Sequence, residues 1–188
     1  MKTRFFTGEG DKGESKVNNR AVSKSSTLVE FLGGLDELNS WLGFCRVGAE
    51  KSDNTNSAGI DAPKILKDIQ NSLFIIQAEV AAKGFGYPKS PKIDENKTKE
   101  LEKTIEKIDE FLPKIEKFII VGGTELSARL DVARAIARRV ERLAKKYSEE
   151  NELSDPLLKF LNRLSSGLFA LARYVNHKSG IAEEHPTY

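Results

Sequence analysis

Asp131, Arg134, Arg138, Glu141, Arg142 and Lys145 follow one another at steps of one, three or four. On a helix that spacing stacks side chains along one side. Four of the six are cations, and Arg139 adds another nearby. Arginine holds planar anions bidentately and stays charged at any ordinary pH, so the chemistry on offer is recognition of a phosphate or carboxylate. A plain solvated face accounts for such a stripe equally well. Two other stretches favour a ligand. Thr7, Gly8, Gly10, Asp11, Gly13 and Ser15 fall within nine residues. Glycines this close let a backbone turn sharply and present N–H groups to an anion. Arg4, Lys12, Lys16, Arg20 and Lys24 give the same segment a basic character that suits a polyphosphate, although an ordinary flexible terminus is the alternative. It is not a Walker A loop, because Gly13 is followed by Glu14 and Ser15, and no βαβ unit surrounds it. Asn162, Ser165, Ser166, Phe169, Arg173 and Asn176 trace a further polar stripe with an aromatic in its middle.

The elements that position these groups read as helices. Leu126, Leu130, Ala133, Ala137 and Leu143 make the arginine stretch, Leu126 to Lys146, amphipathic. Thr124 is its natural N-cap, after a Gly122-Gly123 turn, and Glu125 suits the dipole of its first turn. Residues 25–49 begin with a capping cluster and carry Val29, Leu32, Leu35, Leu38 and Leu42 at helical period. Gly33 and Gly34 inside that stretch suggest close approach by another helix or a ligand. Asp36, Asn39 and Gly43 form a narrow polar line beside the apolar one, and an acid facing inward needs a cation partner. Further helices are predicted over 63–83 and 94–112, and from Ser154-Asp155-Pro156 to Lys178. Residues 50–61 and 84–93 read as loop and surface crossover, and Phe118 to Val121 is too short to classify. The expectation is an all-α five-helix bundle with no strand ladder, forming a single domain over 1–188. Within it, 1–24 is a glycine-rich segment, 25–178 the bundle and 179–188 a loose tail.

Composition narrows the function. The chain has 188 residues, 39% hydrophobic and 31% charged, enough for one domain with a sizeable core. Net charge is only +2, so a global basic field for nucleic acid is absent and any anion site is local. Cys45 is the only cysteine, which excludes an internal disulfide and four-ligand zinc sites built on paired cysteines. It lies on an apolar stretch, where a packed thiol is preferred over a nucleophile. No run reaches the ~18 apolar residues of a membrane span, and no signal-peptide core is visible. The reading is a cytoplasmic protein.

Four motifs together resemble the PduO-type ATP:cob(I)alamin adenosyltransferases: TGEGDKGES at Thr7 to Ser15, GGLDELNSWLG at Gly33 to Gly43, KFIIVGGTELSARLDVARAIARRVER at Lys117 to Arg142, and FLNRLSSGLFALARY at Phe160 to Tyr174. The resemblance covers most of the chain. It implies a five-helix bundle assembled as a homotrimer, with active sites between subunits. It implies transfer of the 5′-deoxyadenosyl group of ATP to the cobalt of a reduced corrinoid, with release of triphosphate. Mg²⁺ is then held mainly by the ATP phosphates and not by direct protein ligands. The implied ATP-binding residues are Thr7, Gly8, Asp11, Gly13, Ser15, Arg20, Lys24, Arg134, Arg138, Glu141 and Asn162. Arg138 is the implied partner of Asp36 across the subunit interface, and Arg134 stands by the triphosphate; these three are the expected catalytic set. Phe118 and Phe169 match corrinoid-side aromatics, where apolar bulk favours loss of the lower axial base of cobalt; core packing is their other reading. A corrinoid reductase or acceptor enzyme is the implied partner, with neither nucleic acid nor membrane. The sequence departs from the family pattern at Leu28, where an Arg is usual, and at Asp131, Ser166 and Val121, which replace a His, an Asp and a Pro. Those departures leave open a non-catalytic relative that holds ATP or a corrinoid as sensor or delivery protein. A purely structural bundle is the remaining alternative.

Overall fold

The apolar stripe of the arginine-rich stretch is buried as its period requires: Leu130 and Ala133 are fully covered and Leu126 and Ala137 nearly so. In the computed structural model, which describes residues 5–6, 8–52, 55–57, 59–83 and 90–188, this stretch is α4, Glu125–Ser148. The other helices are α1 (Thr27–Glu50), α2 (Ala62–Lys83), α3 (Glu95–Asp109) and α5 (Asp155–Lys178). They pack in the order α2, α1, α4, α5, α3. The series closes where Ile65 and Ile69 of α2 share a cleft with Leu101 and Thr104 of α3, over Phe160. The five-helix bundle is as expected.

Local chemistry sets the ends of the helices. Ser26, Asp94 and Thr124 accept hydrogen bonds from the backbone N–H of Val29, Lys97 and Ser127 at 3.3, 3.2 and 3.1 Å. Ser154 stands at the N-cap position of α5, but its side chain is turned to another use. Its hydroxyl donates to Glu79 Oε1 at 2.7 Å, while Glu79 Oε2 accepts from Ile93 N–H at 2.9 Å. Glu79 is buried, and these bonds tie Ile93 and the start of α5 to α2. A Cβ added to Gly34 would stand 2.9 Å from Leu143, so that glycine allows α1 to approach α4 closely; Gly33 faces open space.

Three expectations are corrected. The glycine-rich segment carries a strand ladder: β1 (Glu14–Val17) pairs antiparallel with β2 (Arg20–Ser23), with Val17 opposite Arg20. Asn18 and Asn19 turn it with φ of 47° and 64°, the left-handed pair that a two-residue hairpin favours. Asn18 also donates to the Ala81 carbonyl at 2.7 Å, seating the turn on the end of α2. A second hairpin, β3 (Asn56–Ser57) with β4 (Ile60–Asp61), lies in the stretch read as plain loop. The tail, finally, is not loose. Glu184 carbonyl accepts from Ile120 N–H at 2.8 Å, the His185 ring bonds the Phe118 carbonyl at 2.8 Å, and Glu183 accepts from Arg173 Nε at 2.6 Å. Arg173 is 6% exposed on a core helix, so its charge needs a counterion, and the tail supplies it.

Candidate functional site

The glycine-rich segment forms a cup. Gly8 and Gly13, with φ of 74° and 83°, bracket a short 3-10 turn over Glu9–Lys12. Outside asparagine and aspartate, a residue with a Cβ is strained at such φ. Lys24 N–H donates to the Gly13 carbonyl at 2.9 Å and its Nζ to the Gly10 carbonyl at 2.8 Å, closing the loop onto the end of β2. The result is a cleft of about 690 Å³ lined by Gly8, Asp11, Ser15 and Lys24 among others. Lysine and turn amides around one open volume suit a polyphosphate. Gly13 sits at the turn itself and Arg20 on the neighbouring strand. Thr7 lies outside the described residues.

The second half of the site is on α4 and α5. Arg134, Arg138 and Glu141 share one face of α4, and Asn162 and Phe169 lie alongside on α5. Asn162 Nδ2 donates to Glu141 Oε1 at 2.7 Å and its Oδ1 accepts from Arg163 at 2.6 Å. Arg134 donates through Nε to Asp131 Oδ1 at 3.0 Å, and its Cζ lies 5.7 Å from the centre of the Phe169 ring. Arg138 is exposed, and its carbonyl accepts from Arg142 at 3.0 Å. Next to this face a cavity of about 90 Å³ is lined by Asp131, Phe169, Arg173 and Asn176, by the 119–123 loop and by the tail. Phe118 is on the same loop but is 79% exposed and outside the cavity. Ile120, Val121 and Ile181 are also exposed, giving this end of the bundle an apolar rim.

Asn176 holds the loop at the start of α4. Its Oδ1 accepts from Thr124 N–H at 3.0 Å, and its Nδ2 donates to the Gly122 carbonyl at 2.7 Å. Gly123 has a φ of 95°, and a Cβ there would fall 2.6 Å from the Asn176 amide. Gly123→Ala is therefore expected to lower stability by about 2–3 kcal/mol, from backbone strain plus the clash. Urea denaturation checks this; an unchanged midpoint would show that the turn yields freely.

The expected inward acid is corrected. Asp36 is exposed and makes no ion pair among the described residues. It sits one residue, about 100° of helix, round from buried Leu35. The buried member of that polar line is Asn39, whose carbonyl accepts from Gln70 at 3.0 Å. Around Asp36 the exposed charges are paired, Arg139 with Glu37 and Lys146 with Glu30. Cys45 is fully buried, and burial pushes its thiol up to about 11, only partly offset by Arg129, which makes it a packing group. Among the described residues no three His, Cys, Asp or Glu side chains cluster to hold a metal.

Within one chain the glycine cup and the arginine face are separate: the residues lining the cup all come from the N-terminal segment. Sequence reasoning named Arg173 and Asn176 but missed their roles and the tail residues Glu183 and His185. The signal available was an arginine close to the apolar line of a core helix, which demands an acid from elsewhere.

Residues 5–175 match the family profile for cobalamin adenosyltransferase. The chain is 34% identical over 180 residues to a corrinoid adenosyltransferase of Bacillus subtilis (strain 168), covering 96% of this chain and 90% of that one. It is 33% identical over 175 residues to the corrinoid adenosyltransferase PduO of Citrobacter freundii, covering 92% of this chain and only 50% of that longer relative. Among solved structures, a variant PduO-type ATP:corrinoid adenosyltransferase from Lactobacillus reuteri, complexed with cobalamin and ATP, superposes with a TM-score of 0.86. The two are 31% identical over 97% of this chain and 99% of that one. No helix among the described residues is long and apolar enough to cross a membrane. The chain belongs to the cobalamin adenosyltransferase family.

Proposed function

We propose that the protein transfers the 5′-deoxyadenosyl group of ATP to the cobalt of a reduced corrinoid. A Co–C bond forms at C5′, the C5′–O bond breaks, and its electron pair leaves on triphosphate. The reduced cobalt is itself the nucleophile, so the chain needs to supply position and charge stabilisation rather than a reactive Ser or Cys. The buried, inert Cys45 fits that division of labour. The observation that carries the reading is the α4–α5 face. There Arg134, whose Nη groups make no hydrogen bond among the described residues, stands beside Phe169 and an apolar rim. Charge for a leaving polyphosphate and apolar bulk for a corrinoid thus adjoin.

The glycine cup, with Gly8, Asp11, Gly13, Ser15, Arg20 and Lys24, holds the triphosphate of ATP together with Arg134, Arg138, Glu141 and Asn162. One chain keeps these groups apart, so the complete site joins the cup of one subunit to the helical face of another in a homotrimer. Mg²⁺, for which the described residues offer no ligand cluster, would be held mainly by the phosphates of ATP and would supply charge neutralisation there. Phe118 and Phe169 face the corrinoid. A single cysteine, which can form no internal disulfide, suits a reducing compartment, and the cytoplasm is the reading it supports.

The test is anaerobic: purified protein, ATP, Mg²⁺ and chemically reduced cobalamin, followed by visible absorbance and a triphosphate assay. Loss of the Co(I) band with stoichiometric triphosphate and a light-sensitive alkylcobalamin is the expected result. ATP binding by calorimetry with no turnover would replace this reading with that of a sensor or delivery protein.

A further inference from the structure

Asp131 is a carboxylate in an expensive place. It is 8% exposed, on the side of α4 that meets α5, and it lines the small cavity beside Phe169. A buried carboxylate without a partner is costly. Its partner is Arg134, and the geometry of the bond is specific: Oδ1 accepts from Nε at 3.0 Å, not from the terminal fork. The four N–H donors on the two Nη atoms make no hydrogen bond among the described residues, and the side chain remains 27% exposed. The Phe169 ring lies 5.7 Å from Cζ, which places an aromatic beside the same guanidinium. The cation that lines the cavity, Arg173, is committed to Glu183 and the Pro113 carbonyl, so it does not compete for Asp131.

We infer that Asp131 is a positioning residue: it holds the Arg134 guanidinium by Nε so that the Nη fork is presented to the triphosphate of ATP. The inference rests on the placement of Arg134 at the triphosphate. A carboxylate this close has a second effect of opposite sign, because it repels phosphate and offsets the charge of Arg134. The two effects make different predictions. Positioning requires an acceptor at residue 131, which Asn retains and Ala lacks. If repulsion dominated, either substitution would tighten anion binding.

The experiment measures triphosphate release with ATP and chemically reduced cobalamin, alongside calorimetric titration with inorganic triphosphate. The proteins are wild type, Asp131→Asn, Asp131→Ala, Arg134→Ala and the double variant Asp131→Ala with Arg134→Ala, each verified as folded by circular dichroism. Asp131→Ala is expected to lower kcat roughly 10- to 100-fold, the scale of a misplaced catalytic group, and to weaken triphosphate binding. Asp131→Asn is expected to lose clearly less. In the Arg134→Ala background, Asp131→Ala should change either quantity by less than about twofold, because residues acting through one group are non-additive. If Asp131→Ala does not fold, Asp131→Leu, which fills the volume without accepting a bond, takes its place. An undiminished penalty in the Arg134→Ala background overturns the proposal. So does wild-type turnover in Asp131→Ala while Arg134→Ala is impaired, or tighter triphosphate binding by Asp131→Asn. Wild-type turnover in Arg134→Ala overturns the placement of Arg134 itself, and the inference with it.

Discussion

Arg134→Ala is expected to lower kcat for triphosphate release by about 10²- to 10³-fold, the loss seen when one donor aimed at developing charge is removed. The residue stands on the α4 face with its Nη groups unspent and its Nε on Asp131. Removal also strands the buried Asp131 carboxylate, at a cost of about 1–3 kcal/mol of stability. That cost does not explain the kinetic loss. A domain with the usual 5–15 kcal/mol keeps nearly all its molecules folded at 25 °C after losing it. The thermal midpoint should therefore fall by several degrees while the remaining folded protein turns over hundreds of times more slowly. Arg134→Lys keeps a charge but loses the planar fork and the Nε bond, so it should fall between wild type and alanine. Steady-state kinetics with a parallel melting curve separates the two effects. A kcat within threefold of wild type in Arg134→Ala, with only the midpoint lowered, would make the residue a structural counterion to Asp131.

Much of this arrangement was legible in the sequence, and the reasons are local. The α4 stripe, its Thr124 cap and the apolar period of α1 follow from helical period and capping chemistry, and both act over a few residues. The pairing of Glu141 with Asn162 was implied only as shared membership of one site, because it joins two helices. What was missed depends on contacts between segments far apart in sequence. Asp36 appeared to face inward because a polar line ran beside an apolar one, yet about 100° of rotation separates exposed Asp36 from buried Leu35. The tail looked loose because its residues are polar. Its order comes from Arg173, a cation near the apolar line of α5 whose counterion, Glu183, is ten residues on. The β1–β2 hairpin had a visible cue in Asn18-Asn19, two residues that tolerate positive φ, but the four-residue strands carry no apolar alternation to announce a ladder.

Asp36→Asn is expected to weaken assembly and activity together, and the argument starts from what the single chain leaves unpaired. Glu37 and Glu30 find Arg139 and Lys146 across the α1–α4 packing, whereas Asp36 and Arg138 on the same two helices are exposed and make no ion pair with each other. In the proposed trimer the two meet across the interface, where they become desolvated. Truncating one member of such a pair costs about 2–5 kcal/mol, much of it from the charge left unpaired. At 1.4 kcal/mol per tenfold, that is roughly a 30- to 4,000-fold loss in subunit affinity at each contact. Light scattering across a dilution series should show the trimer dissociating at concentrations where wild type is intact, with specific activity falling in step. The double reversal of Asp36→Arg with Arg138→Asp should restore assembly but not turnover, because Arg138 also serves ATP in this reading. That asymmetry distinguishes a shared interface-and-substrate residue from a purely structural one. A fully active, undissociated trimer in Asp36→Asn would sink the pairing and leave the separation between the glycine cup and the arginine face to be bridged by other contacts.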